Sequence, residues 1–539
     1  MSASSKKKLR KEQEAAKMTE KQLTAQKEAK KNSLYTTLFV VVMAAILVIA
    51  LVVGVKQTIT AGGFREKNTT ALTVGEHEIN SVEMNYFFMD AVNEFYSNYG
   101  SYAAMFGLDV TKPLNEQVVN EEAGTTWADD FMTQAKDSAA SIYALADAAE
   151  AAGFTLPEED KAALEEQLAG LDLYATMYGY KNADQYLKAM YGNGASKKTY
   201  TAYCEKQVLA SAYYNHYAEA LTYDDAALRA AEAENFQAFS SYTFNTYYLA
   251  ASRFLEGGTA GEDGTTTYSD AEKAASVAAA EAAAKALTGE EITDAAALDA
   301  AIAALEINQG STAASTYNEN TQYNALTAAY KEWLTASDRK DGDIAYFEST
   351  AGEEINGYYV VMFRSSTDNS FPMKNVRHIL VAPEHNHEDG EAHENGETYS
   401  EEEMAAAKAT AEEIQAQWKA GEATEESFGA LANEKSADGD GTTGGLYENV
   451  YPGQMVENFE NWCYESGRKT GDTGIVESSY GYHVMYFVGD SEMTYRDFQI
   501  DNQLRNADLN TWYNGIVEAM TQTDGDTQYV RTDLVLNAA

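Results

Sequence analysis

NVRHILVA at residues 375–382 and GYHVMYFVG at residues 481–489 decide how this chain is read. The first stretch alternates as a strand does, with His378 and Leu380 on one face and Ile379 and Val381 on the other. The second reads as another strand, with His483 near its start. Between them apolar residues recur with helical spacing over 402–420, and a second helical stretch covers 425–434. Then come a glycine-rich turn, DGDGTTGG at 438–445, and the segment YPGQMVENFENW at 451–462. Strand, helices, strand is the order of a compact α/β unit over residues 372–489.

Four segments in this unit, VRHILV, GGLY, GQMVENFE and YGYHVMYF, occur in an order and spacing that resemble the parvulin-type prolyl isomerases. The chain looks like such a domain set within a PrsA/SurA-like foldase. The resemblance implies peptidyl-prolyl cis/trans isomerisation of secreted or unfolded polypeptides, with a non-catalytic holdase as the alternative. It also implies roles. Leu446, Met455 and Phe459 match the family's proline pocket, and Gln454 matches a position that contacts substrate backbone. His378 and His483 match its paired histidines, Asp438 the position held by Cys or Asp, and Tyr480 one where some members carry Ser. The glycine-rich loop lets the alignment slip, so Asp440 rivals Asp438. The chemistry suits these residue types. The X-Pro amide has a rotation barrier of about 20 kcal/mol, and twisting it localises the nitrogen lone pair. A grip on the proline ring and polar groups that favour the twisted amide are enough. No nucleophile, metal or cofactor is required.

The same unit has a partner upstream. TFNTYYLA at 243–250 aligns with NVRHILVA, and GYYVVMF at 357–363 with GYHVMYF. Trp333 and Trp462 each stand ten residues before an aspartate, Asp343 and Asp472, with Arg339-Lys340 and Gly342 matching Arg468-Lys469 and Gly471. Residues 240–366 therefore read as a degenerate copy. Thr246 stands in place of His378, Tyr359 in place of His483, and no GGLY…GQM segment survives. That copy is expected to be inactive. An Ala-rich stretch, 271–305, is expected to be helical within it.

The remainder sets the context. Residues 1–31 carry ten Lys/Arg against four Asp/Glu, while the whole chain has a formal net charge of −45. The acidic body repels phosphate backbones and excludes a nucleic-acid partner. Leu34–Val55 is 22 residues without a charge, enough to cross a hydrocarbon core of roughly 30 Å. With the basic leader 1–33 held inside, the body is expected outside a cytoplasmic membrane that the chain crosses once. Residues 69–81 read as a strand pair turning near Gly75, and from Ser81 to about Ala233 the pattern is helical and rich in Tyr, with His216 a packing residue. The final QYVRTDLVL reads as strand. Cys204 and Cys463 fit no metal spacing, whereas His385, His387 and His393 sit in an acidic loop that is most simply solvated. The expected fold class is thus α+β and multidomain. It comprises a single transmembrane helix (34–55) and a mostly helical SurA-like chaperone domain (65–235, completed by 494–539). A degenerate parvulin-like α/β domain (240–366) and an intact parvulin α/β domain (372–489) follow.

Overall fold

The computed structural model describes residues 63–260, 266–349, 357–384, 399–439 and 441–536. It divides into two compact units, one made by residues up to Thr222 together with those from Arg505 onward, the other by Tyr223–Leu504. One component of the expected fold class is corrected. No described helix is long and apolar enough to cross a membrane, and the stretch Leu34–Val55 lies outside the described residues. Among the described residues the fold is one of mixed helix and strand, and the expected transmembrane helix is not among their elements.

The first unit opens with strands β1 (Thr70–Val74) and β2 (His77–Asn80), joined through Gly75 at φ 57°. Three long helices follow, α1 (Ser81–Tyr99), α2 (Trp127–Ala151) and α3 (Lys197–Ala220). Each begins where a side chain can satisfy the free amides of the first turn. Asn80 caps α1, and Thr126 with Asp129, and Ser196 with Thr199, form capping boxes for α2 and α3. Phe87, Phe88, Phe131, Tyr186 and Tyr191 fill the core. The abundance of Tyr has a physical reason: each ring adds apolar area and its hydroxyl finds a polar partner. Tyr86 meets Thr199 at 2.8 Å, and Tyr143 and Tyr203 donate to Glu83 and Asp90 at 2.7 Å. His216 packs against Phe154 at a ring separation of 5.0 Å. The strand Gln522–Asp524 closes the sheet by pairing with β1. The last segment is not the strand its alternation suggests. Val530, Leu534 and Leu536 are buried, but only Val535 makes a bridge, to Pro113. Arg531 holds this irregular backbone, its amide donating to Asn85 Oδ1 and its guanidinium to the carbonyls of Ala189 and Met190.

The second unit contains two four-stranded antiparallel sheets. The first is built from β3 (Ser241–Leu249), β4 (Thr316–Gln322), β5 (Ile344–Glu348) and β6 (Tyr358–Thr367), in the order β4-β3-β6-β5. The second is built from β7 (Pro372–Val381), β8 (Leu446–Val450), β9 (Thr473–Ser478) and β10 (Gly481–Thr494), in the order β8-β7-β10-β9. The two orders are the same. So is the turn leading into β5 and β9. Lys340 and Lys469 amides donate to Asp343 and Asp472 at 3.0 and 2.8 Å, and Gly342 and Gly471 amides to Phe363 and Phe487 carbonyls at 2.9 Å. Both glycines lie at φ near 90°, and Arg339 and Arg468 each stack on the preceding tryptophan, Trp333 and Trp462. In the first sheet the Ala-rich segment forms helix α4 (Asp270–Ala286) and a second helix, Ala295–Ala304, on one face. Helix α5 (Ala328–Leu334) covers the other face.

The second sheet is covered in the same way. Ile379, Val381, Tyr482, Val484 and Tyr486 pack on α6 (Glu401–Ala420) and α7 (Glu425–Lys435). Val376, Met485 and Phe487 pack on α8 (Glu457–Tyr464) through Phe459 and Cys463. Buried side chains of this size each stabilise by roughly 1.5–3 kcal/mol. Both cysteines are buried and free. A node of polar contacts fixes the link between the sheets. Buried Asn369 donates to the Phe239 carbonyl and Ser241 Oγ, and buried Arg496 bonds the carbonyls of Asp368 and Phe236 and pairs with Glu232.

Candidate active site

The central pair β7·β10 sets the site. Its register places His378 opposite Met485 and Leu380 opposite His483. Side chains directly opposite share a face, so the two histidines are diagonal neighbours on the face that α8 covers. Both are buried, and their Nδ1 atoms lie 3.1 Å apart. Each outer nitrogen has its own partner. His378 Nε2 is 3.0 Å from Asp438 Oδ2, and His483 Nε2 is 2.8 Å from Ser478 Oγ. The Tyr447 hydroxyl donates to the same Asp438 oxygen, and the Tyr480 amide donates to Ser478 Oγ at 3.1 Å.

These contacts form a chain with one direction. With Asp438 a carboxylate, it accepts from His378 Nε2–H. A neutral His378 then accepts at Nδ1 from His483 Nδ1–H, and His483 Nε2 accepts from the Ser478 hydroxyl. Burial, followed by the neighbouring His378, pushes His483 down to about 4, with Asp438 pulling weakly the other way. His483 is therefore neutral near pH 7. The apolar wall is Phe459, whose ring stands nearly perpendicular to both imidazoles at 5.3 Å from each. Met455, half-buried, packs into the same cluster.

Local sequence explains how Asp438 arrives there. After α7, the Ala437 amide donates to the Leu380 carbonyl at 2.8 Å, and Ser436 Oγ accepts from the amides of Leu380 and Asp438. The loop then returns through Gly445, whose carbonyl accepts from the His378 amide at 2.9 Å. Gly445 has φ 63°, and a Cβ there would lie 2.1 Å from the His378 carbonyl oxygen, which is backbone and cannot yield. Gly445→Ala should therefore cost about 2–4 kcal/mol in a denaturant titration. A loss under about 0.5 kcal/mol would mean the strand and loop do not approach this closely.

Of the sequence candidates, the structure brings together His378, His483, Asp438, Phe459 and Met455. It does not bring in three others. Leu446 pairs with Arg377, and so faces away from the imidazoles; Tyr447, opposite Val376, takes their face. Gln454 is exposed and its Oε1 accepts from the Tyr451 amide at 3.1 Å. The Tyr480 side chain is exposed on the β9–β10 turn, and only its amide reaches the network. Asp440 and the loop holding His385, His387 and His393 lie outside the described residues. Sequence reasoning missed Tyr447 and Ser478. Tyr447 lay within the quoted GGLY. Ser478 could have been found from the hairpin, in which the Ser478–Gly481 pairing puts a hydroxyl beside His483. In the first sheet Thr246 pairs with Val361 and Tyr359 with Tyr248, the same diagonal relation as His378 to His483. There Thr246 Oγ1 meets the Asn318 amide at 3.0 Å, and Tyr359 meets the Tyr330 ring at 5.5 Å.

Residues 378–489 match the family described as Rotamase: PPIC-type PPIASE domain. Foldase protein PrsA 1 of Listeria innocua and its counterpart in Listeria monocytogenes are each 43% identical over 86 residues. That stretch is 16% of this chain and 28% of each relative, so the chain spans under a third of the curated relatives' length. Among solved structures, a peptidylprolyl isomerase (PrsA) from Bacillus cereus has 25% identity. The alignment covers 28% of this chain and 49% of that one, with a TM-score of 0.18.

Proposed function

We propose, from the parvulin-type domain that residues 378–489 form, that the whole chain is a foldase that isomerises X-Pro bonds in unfolded polypeptides. The observation that supports this best is the directional chain from Ser478 through the two buried imidazoles to Asp438, with Phe459 standing over its middle. In this reading the proline ring sits against Met455 and Phe459. The chain presents fixed hydrogen-bonding dipoles to the amide as it twists, and no proton leaves a histidine. Fixed dipoles need not reorganise when conjugation is lost, which is what lowers the barrier. The first sheet has the same topology without imidazoles or the glycine loop, and serves as a non-catalytic module. The basic leader and the uncharged run after it support action beyond the cytoplasmic membrane.

A protease-coupled assay on a short X-Pro peptide tests the reading. The full chain should accelerate isomerisation. The His378→Ala, His483→Ala chain should lose about tenfold or more in kcat/KM, with no activity recovered from the first sheet. A wild-type chain that binds unfolded polypeptide but leaves the isomerisation rate unchanged would replace this reading with that of a holdase.

A further inference from the structure

We infer that Tyr447, rather than Leu446, is the third wall of the site, and that it is a positioning residue which clamps the Asp438 carboxylate beneath His378. This rests on the proposed isomerase reading and deepens it.

The strand register puts Tyr447 on the imidazole face of β8, opposite Val376. Its ring then meets His378 edge-on at 4.8 Å and Phe459 at 6.2 Å, bordering the space where a proline ring would lie. Its hydroxyl reaches past His378 to Asp438 Oδ2, the oxygen that His378 Nε2 meets at 3.0 Å. Two donors from different strands converge on one acceptor.

Asp438 needs such a clamp. It sits in a loop, and its side chain is 38% exposed, so water competes for its carboxylate. Its backbone is tied through the Ser436 hydroxyl, but that contact leaves the side-chain rotamer open. The Tyr447 hydroxyl selects the rotamer that faces His378. The choice propagates: a carboxylate fixed at His378 Nε2 keeps the proton there and leaves Nδ1 to accept from His483. Tyr447 thus sets the imidazole tautomers without touching the nitrogen that changes role.

Four full-length chains test this: wild type, Tyr447→Phe, Asp438→Ala and the double variant. Phenylalanine keeps the ring and removes only the hydroxyl, so melting curves should stay close to wild type. Tyr447→Phe should lower kcat/KM on an X-Pro peptide about threefold to tenfold, mainly through kcat. In the Asp438→Ala background the same substitution should change nothing beyond about twofold, because a clamp without its carboxylate has no target. Nitrogen-15 spectra of histidine-labelled protein should show the His378 Nε2–H form in wild type and a mixture of tautomers in Tyr447→Phe. Equal costs in both backgrounds, or an unchanged rate with unchanged tautomers, would overturn the clamp. If wild type itself shows no isomerase activity, the isomerase reading fails, and the tautomer spectra still decide whether Tyr447 orders the pair.

Discussion

The Met455→Ala, Phe459→Ala chain should isomerise an X-Pro peptide with kcat/KM lower by about tenfold to a hundredfold. Phe459 is 2% exposed and nearly perpendicular to both imidazoles, while half-buried Met455 lies four residues before it, in the bend that precedes α8. Each side chain of this size carries roughly 1.5–3 kcal/mol of apolar contact. If half of that is expressed at the twisted amide, the two losses together give the stated range. Phe459→Ala also leaves a cavity worth about 3–5 kcal/mol in stability, so circular dichroism and a melting curve must accompany the kinetics. Met455→Ala alone separates the effects, because its partial exposure spares the fold while removing part of the wall. A folded double variant working at the parental rate would place the proline pocket elsewhere.

The second large effect is on stability against pH. Burial and then His378 disfavour the charged form of His483, holding it at about 4 against an ordinary 6.5. Between those values the unfolded chain binds a proton that the folded chain refuses, so unfolding gains as pH falls. This contribution is fully present above about pH 6.5, declines as pH drops toward about 4, and levels off below both. Its size is about 2–3 kcal/mol between pH 7 and pH 4.5. The groups facing His483 are His378 across the strand pair, Asp438 beyond it, and Ser478 on the hairpin. Protonating His483 turns its Nε2 from an acceptor into a donor toward Ser478 Oγ, so that end of the chain of contacts must rearrange as the domain weakens. His483→Asn should remove the dependence: its stability difference between the two pH values should be smaller than wild type by that amount in denaturant titrations. An identical difference in both chains would mean His483 titrates normally.

Much of the site was legible because period-2 alternation is a strong local signal. Ile379 and Val381 fell on the face that α6 and α7 cover and His378 on the opposite one, under α8, as NVRHILVA implies. Leu446 lies on the face away from the imidazoles for a reason that alternation cannot carry. The β7·β8 ladder shifts register between Lys374 and Val376, and a one-residue shift exchanges the faces of Leu446 and Tyr447. Ser478 was hidden because its role comes from a hairpin that brings residues on two strands together, not from its own neighbours. Asp438 was readable as a loop acid, but its arrival depends on the Ala437–Leu380 backbone pair. The closing QYVRTDLVL has the alternation of a strand, yet Arg531 spends its donors on Ala189 and Met190 and the segment packs as irregular backbone. The long helices of the first unit were legible from their period.

The discontinuity of the first unit governs the order in which the chain can fold as it leaves the ribosome. Strand β1 needs Gln522–Asp524 beside it, and Asn85 needs the backbone of Tyr529 and Arg531, so its final contacts wait until those residues have been made. The second unit, Tyr223–Leu504, is continuous and can form first. At about 5–20 residues per second, its synthesis takes roughly 15–60 s, during which β1 has an open edge. Through that interval the growing chain carries an unpaired strand edge, the kind of surface that invites pairing with another chain.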